Sequence, residues 1–173
     1  MLLISNTYYT RSDGMKSVIV YYSYSGNTKK VARVLVEALR KKGEVEELEI
    51  VALDEPGSFL GQCGRAFRHI KARIQDVNFD LSKYDLICFG TPVWAFGPAP
   101  ALNAYIEKCS GLEGKNIILF STYGSGAGKD RCLDYAQKVL QDKRPAGFKR
   151  FFIQQGNVDK KEFVVNEINN TIG

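Results

Sequence analysis

The chain of 173 residues carries 24 lysines and arginines against 19 aspartates and glutamates, which gives a formal net charge of +5 at pH 7, and 45% of its residues are hydrophobic. These values are typical of one globular domain with a substantial core, and no apolar run is long enough to span a bilayer. Because the basic excess is not concentrated in one patch, and no Cys-x-x-Cys pair or histidine cluster is present, the composition argues against nucleic-acid binding, a metal site and a hydrolase triad.

Residues 1–14 are polar and irregular and do not resemble a secretory signal, and Met15 comes just before the first predicted strand. We therefore expect an N-terminal extension over residues 1–15, followed by a single domain over residues 16–173. The scattered thiols of the chain, without a signal peptide, predict a cytoplasmic location. One of them, Cys88, lies in an apolar run and is predicted to be a core residue.

Strand and helix patterns then alternate to the end of the chain. The predicted strands cover residues 17–22, 45–50, 85–90, 115–121 and 149–154. The predicted helices cover residues 27–42, 59–75, 98–109, 127–142 and 159–172. This alternation predicts an α/β fold, a three-layer, doubly wound, five-stranded parallel sheet covered on both faces. The mixed polar pattern of 45–50 suits an edge strand, whereas 85–90 and 115–121 suit the sheet centre.

A hydroxyl-rich loop, residues 23–28, joins the first strand to the first helix. Backbone N–H groups at a helix start, three hydroxyls and one glycine form a good binding site for a phosphate. The loop lacks both the three glycines of a dinucleotide fingerprint and the Gly-Lys-Ser/Thr ending of a nucleoside-triphosphate loop. A neutral site of this kind suits one permanently bound monophosphate. The alternative is an ordinary capped helix after a strand.

Two more unusual loops follow the third and fourth strands, and ligands of such sheets bind at the carboxyl ends of the strands. The segment 91–100 contains Trp94, the only tryptophan, between prolines that stiffen the backbone. Its ring is predicted to be a stacking surface, although a lone loop tryptophan can also simply fill a surface gap. The segment 122–128 is glycine-rich, and Tyr123 could provide a second aromatic wall. On its own this segment is equally consistent with a plain turn.

Together the three loops resemble those of the flavodoxin family. The stretch 23–28 is similar to its phosphate loop, 84–94 to its third strand and first flavin loop, and 122–128 to its second flavin loop. The resemblance runs from about Lys16 to the C-terminus. It implies the strand order 2-1-3-4-5, non-covalently bound FMN and redox chemistry carried by the flavin, with no catalytic side chain.

The resemblance also implies the cofactor-binding residues. The phosphate would be held by Ser23, Tyr24, Ser25, Gly26, Asn27 and Thr28. The isoalloxazine ring would lie along Thr91, Pro92, Val93, Trp94 and Ala95, with the tryptophan against one face. Its other side and polar edge would be flanked by Thr122, Tyr123, Gly124 and Gly126.

The charge pattern departs from that of acidic electron-carrier flavodoxins. Residues 91–106 carry no charge, and 122–131 carry only Lys129, Asp130 and Arg131. A neutral to basic surround should stabilise reduced, anionic flavin, so we expect a less negative potential than that of an acidic flavodoxin. The predicted helix 59–75 has a basic face, which is interpreted either as a solvated surface or as a docking strip for NADPH or an acidic partner protein.

Three functional hypotheses remain open at this stage. The first is an oxidoreductase that passes electrons from NAD(P)H through FMN to a quinone or another acceptor. The second is an electron carrier that needs a separate reductase as its redox partner protein. The third, which the intact loops disfavour, is a binding module without flavin. The sequence does not decide the oligomeric state.

Overall fold

The computed structural model describes residues 14–54 and 72–173. Apart from the predicted helix at 59–75, which lies mostly outside these residues, and one additional short strand, its strands and helices follow the predicted order. In chain order they are β1 (Met15–Tyr22), α1 (Asn27–Leu39), β2 (Gly43–Ile50), β3 (Leu86–Trp94), β4 (Gly97–Pro98), α2 (Pro100–Lys108), β5 (Asn116–Tyr123), α3 (Lys129–Gln141), β6 (Gly147–Gln154) and α4 (Lys161–Ile172). A short 3₁₀ turn, Gln155–Asn157, precedes α4.

The strands form a sheet in the order β2-β1-β3-β5-β6, with every neighbouring pair parallel. The predicted order of the five principal strands and the edge position of β2 are therefore confirmed. The sheet also contains one strand that the sequence did not predict. The two-residue β4 pairs antiparallel with the end of β3 and makes a hairpin there.

Two apolar clusters cover the two faces of the sheet, because successive strand residues point to opposite sides. On one face, Val20 and Phe89 pack with α2 and α3. On the other, Ile19 and Cys88 pack with α1 and α4. The predicted burial of Cys88 is confirmed, since its side chain is completely buried. Helices on both sides of a parallel sheet complete the three-layer architecture.

The predicted helix at 59–75 is wrong at its C-terminal end. The segment 72–75 is not helical, and it pairs antiparallel with the residues after β2. Ile74 makes a bridge with Ala52, and the N–H of Leu53 donates to the carbonyl of Arg73 at 2.7 Å. The rest of that prediction, including the basic side chains at positions 65, 68 and 71, lies outside the described residues, as do residues 1–13 of the predicted extension.

Within residues 14–54 and 72–173, no helix combines the length and the hydropathy that crossing a bilayer requires.

Candidate functional site

The loop between β1 and α1 presents free backbone donors at the carboxyl edge of the sheet. Gly26 has φ +86° and open space on the side where a Cβ would project. The hydroxyl of Ser23 accepts a hydrogen bond from the N–H of Lys29 at 3.1 Å, so it caps the helix. The preceding N–H groups, those of Asn27 and Thr28, find no acceptor among the described residues. These two groups are therefore available to an anion.

A buried pair of hydroxyls joins this loop to the end of β5. Oγ1 of Thr28 lies 2.9 Å from Oγ1 of Thr122, and both side chains are buried. One hydroxyl of such a pair donates and the other accepts, so the accepting hydroxyl keeps its own proton to donate elsewhere. A buried donor that remains without an acceptor is costly. A phosphate oxygen placed above the loop would provide that acceptor.

The segment after the third strand is a hairpin rather than the predicted loop. Strand β3 continues to Trp94, and the chain reverses through Ala95 (φ 46°) and Phe96 (φ 70°) into β4. Positive φ at both central residues is typical of a type I′ turn, which matches the twist of the flanking strands. The hydroxyl of Thr91 accepts from the N–H of Ala99 at 2.9 Å and so holds the base of the hairpin.

The hairpin places Trp94 in an aromatic cluster. Its ring meets those of Tyr22 and Tyr24 edge to face, each with a centroid distance of 5.6 Å. Only 5% of Trp94 is exposed, whereas 44% of Tyr24 is exposed. The tryptophan therefore lies at the wall of the site, and Tyr24 contributes the more accessible ring.

The three loops enclose one cleft of about 490 Å³. It is lined by Tyr24, Ser25, Asn27, Pro92, Val93, Trp94, Thr122, Tyr123, Gly124, Ser125 and Gln155. The first nine belong to the predicted set. The other predicted residues, which are Ser23, Gly26, Thr28, Thr91, Ala95 and Gly126, do not line the cleft. Ser23, Thr28 and Thr91 use their hydroxyls to hold the loops, as described above.

Sequence reasoning missed two lining residues, Ser125 and Gln155. Gln155 immediately follows β6, at the same carboxyl edge, so the rule that selected the other loops could have found it. Its neighbour Gln154 donates from Nε2 to the carbonyl of Gly124 at 3.2 Å and so ties β6 to the glycine-rich loop. The side chain of Gln155 is close to that loop as well, with Nε2 3.4 Å from the position of a Cβ on Gly124.

The cleft is electrically neutral. None of its described lining residues carries a charge at neutral pH. Two nearby lysines are paired with carboxylates, since Lys29 contacts Glu49 at 2.5 Å and Lys129 contacts Asp130 at 3.1 Å. An anion in the cleft would therefore be held by N–H and hydroxyl donors and not by fixed cations.

The described thiols do not contribute reactive groups. Burial raises the pKa of Cys109 to about 12, and it also raises the pKa values of Cys88 and Cys132. Since the thiolate is the nucleophile, these buried cysteines stay protonated and inert.

A second cleft, of about 410 Å³, lies at the opposite edge of the sheet. Met15, Leu86, Asn116 and Gly147, each at the start of a strand, contribute to its lining. It contains neither the hydroxyl loop nor the hairpin. The carboxyl-edge cleft is therefore the candidate functional site.

The residues present at this site fit FMN. Free N–H groups and a spare hydroxyl proton suit a monophosphate, and Tyr24 and Tyr123, beside the nearly buried Trp94, offer aromatic surface for a planar ring. The carboxamide of Gln155 and the backbone of Gly124 provide both donors and acceptors for the polar parts of a flavin. The fold and the site together define a flavodoxin-like protein.

The family model described as NADPH-dependent FMN reductase matches residues 15–148. The chain belongs to this family, and membership confirms FMN as the predicted cofactor.

Solved structures of similar proteins show the same fold. A flavoprotein in complex with FMN from Lactobacillus acidophilus NCFM shares 21% identity with a TM-score of 0.64, over 86% of this chain and 99% of that one. An NADH:FMN oxidoreductase in its apo form shares 18% with a TM-score of 0.59, over 89% and 87%. Oxidised flavodoxin 1 from Bacillus cereus shares 20% with a TM-score of 0.56, over 91% and 99%. The flavodoxin resemblance inferred from the three loops is confirmed.

Proposed function

We propose that this protein binds FMN non-covalently in the carboxyl-edge cleft and acts as an NAD(P)H-dependent oxidoreductase that passes electrons to a separate acceptor. The observation that carries the proposal is the neutral lining of the cleft in a member of a reductase family. Bound FMN would accept and release electrons, which is chemistry that no side chain of the site supplies.

The chain's own groups would bind and orient the cofactor. The N–H groups of Asn27 and Thr28, which have no acceptor among the described residues, would hold the phosphate. The buried contact of Thr28 with Thr122 fixes the distance between this loop and β5. The hairpin at Trp94 and the loop at Gly124 then form two walls of a slot for the ring.

The absence of acidic side chains among the described lining residues favours the reduced state. A carboxylate near the ring would repel an anionic reduced flavin, and the cleft presents none. We expect the potential of the reduced couple to be less negative than that of an acidic flavodoxin, and a potentiometric titration measures it. A very low hydroquinone potential would contradict the argument.

A variant of the cleft provides the matched test of this electrostatic reasoning. Ser125→Asp adds a carboxylate at a lining position and should make the reduced couple more negative. At a distance of several ångströms the repulsion is on the order of 1 kcal/mol, which corresponds to about 40 mV for a one-electron step. Ser125→Asn controls for size without charge and should leave the potential close to that of the wild type.

Anaerobic mixing of the FMN-loaded protein with NADPH or NADH tests the proposed activity. We expect rapid bleaching of the flavin band without any partner protein, and recovery of the band when a quinone such as menadione is added. Free FMN at the same concentration is the control for direct reduction. Bleaching only after addition of a separate reductase would identify an electron carrier and reject the proposal.

A further inference from the structure

The tip of the hairpin holds an exposed aromatic ring in a costly conformation. Phe96 has φ 70° and is 48% exposed. Positive φ is unfavourable for a bulky residue, by roughly 1–2 kcal/mol. Backbone strain of this kind persists only where the surroundings impose it, and it clusters at ligand sites. A strained and exposed ring next to a ligand cleft is therefore a candidate for ligand contact.

The surroundings that impose it belong to the loop on the other side of the cleft. Gly128 has φ 78°, and a Cβ at this position would lie 2.8 Å from Cα of Phe96 and 2.9 Å from its Cβ. The hairpin tip therefore packs directly against the backbone that leads into α3. This packing holds Phe96 in one place. Phe96 also lies beside the cleft, because consecutive Cα atoms are 3.8 Å apart and its Cα is therefore within about 8 Å of the Cα of Trp94, which lines the cleft.

A guanidinium accompanies this ring. The guanidinium carbon of Arg131 lies 5.6 Å from the centroid of Phe96. Asp130, the nearest acid along the chain, is paired with Lys129 at 3.1 Å. Within the described part of the chain, Arg131 has no carboxylate partner. Among the described residues, a guanidinium without a carboxylate partner thus lies against an exposed aromatic surface close to the cleft.

We propose that Phe96 and Arg131 form a docking point for a planar aromatic ring that bears an anionic group. The proposal rests on the proposed function, since the docked molecule would exchange electrons with FMN in the adjacent cleft. The ring of the ligand packs on the part of Phe96 that the guanidinium leaves open, and its anionic group pairs with Arg131. A guanidinium suits this role because it stacks on aromatic faces and binds phosphate or sulfonate through two N–H groups.

A ring with an anionic group can come from two sources. It is either an electron donor with a phosphate near a ring, as in NADPH, or an electron acceptor such as an acidic quinone.

Arg131→Gln removes the positive charge of the guanidinium, and Lys138→Gln, two turns further along α3, is the matched control. Arg131→Gln should raise the KM for the anionic partner about three- to tenfold, as expected for an exposed ion pair with a stacking contribution, and reduce its dependence on salt. Lys138→Gln should change neither, and FMN affinity should stay the same in both variants.

Two pairs of probes separate the sources. For the donor, NADPH is compared with NADH, which lacks the 2′-phosphate. For the acceptor, naphthoquinone-2-sulfonate is compared with neutral menadione, using FMN-loaded protein that has been photoreduced without any nicotinamide. A loss confined to NADPH assigns the site to the donor, and a loss confined to the sulfonate assigns it to the acceptor. Equal behaviour of Arg131→Gln and Lys138→Gln with both pairs would overturn the proposal.

The photoreduced arm keeps this test independent of the proposed function. If wild-type protein is not reduced by NADPH or NADH, the proposed oxidoreductase activity fails, and the comparison of the two quinones alone decides whether the docking point exists.

Phe96→Leu adds a second readout, because it retains an apolar side chain and removes the aromatic face. It should weaken both members of the pair that the site binds, either NADPH and NADH or the two quinones, whereas Arg131→Gln should weaken only the anionic member of that pair. No effect of Phe96→Leu on any of these four probes would remove the ring from the site.

Discussion

Replacing Gly26 by alanine separates the folding role of the phosphate loop from its binding role. Gly26 has φ 86°, and nothing lies within 4 Å of the position of an added Cβ. Without ligand, Gly26→Ala should therefore cost only the left-handed backbone penalty, roughly 1–2 kcal/mol. Gly114 has φ 69° and equally open space, at the opposite edge of the sheet before β5. Gly114→Ala is the matched control and should cost about the same.

The two variants should differ in FMN binding. The methyl group at position 26 would occupy open space in the loop whose N–H groups, those of Asn27 and Thr28, are proposed to hold the phosphate. Loss of one hydrogen bond to a charged group costs about 1.5–3 kcal/mol, so the Kd for FMN should rise about 10- to 100-fold or more. Gly114→Ala should leave this Kd unchanged.

Urea denaturation of the apo-proteins measures the folding cost, and quenching of FMN fluorescence measures the Kd. Equal FMN affinity in Gly26→Ala and wild type would refute the placement of the phosphate. A much larger loss of stability in Gly26→Ala than in Gly114→Ala would refute the claim that open space surrounds the loop.

Three further predictions follow from other contacts. Gly128→Ala should destabilise the protein by about 1–3 kcal/mol more than Gly114→Ala, because the added methyl group meets backbone of the hairpin in addition to the φ penalty; urea denaturation checks this, and equal costs would contradict the contact. Thr28→Val and Thr122→Val should show a coupling of about 1 kcal/mol in a double-mutant cycle of unfolding, and additivity would show that the buried hydroxyl pair contributes nothing. Hydrogen bonds from Lys83 and Tyr84 hold the pKa of Glu46 below its usual value, so the stabilising effect of the Glu46 carboxylate is present above about pH 4.3 and is lost as the pH falls through the lowered pKa. Glu46→Gln should therefore lower the melting temperature at pH 7 and not at pH 2. An equal loss at both pH values would refute the stabilising role of the carboxylate.

Much of the fold could be predicted because its signals are local. Alternating apolar strands and amphipathic helices defined the parallel sheet, and the polar pattern of 45–50 indicated an edge strand, which β2 is. The phosphate loop was visible as a hydroxyl-rich segment at a helix start. The neutral charge of the cleft was visible as well, because it depends on which residues are absent from short stretches of sequence and not on their packing.

The hairpin could not be predicted in this way. Prolines are unusual inside strands, so Pro92 and Pro98 made the segment look irregular. The turn also uses Ala95 and Phe96 at positive φ, where glycine or asparagine is the expected signal. Contact with the backbone at Gly128, more than thirty residues later in the sequence, supports this turn, and local pattern does not report such a contact.

The predicted role of Trp94 shows a second limit. A lone tryptophan on a stiff loop predicts a stacking surface, but the local pattern does not report that the ring is nearly buried in contact with Tyr22 and Tyr24. The segment 72–75 shows the same limit, since Ile74, which belonged to the predicted apolar stripe of a helix, pairs instead with Ala52 beyond β2. In both cases tertiary contacts outweigh the local pattern.

Comparison of FMN with riboflavin as ligands of the purified apo-protein tests the central claim most directly. The two flavins differ only by the phosphate, so the difference in their Kd values, measured by fluorescence quenching, reports the loop at Gly26 alone. We predict that FMN binds at least about 100-fold more tightly, which corresponds to two or more charged hydrogen bonds at about 1.5 kcal/mol each. Equal affinities, or no binding of FMN, would contradict the account.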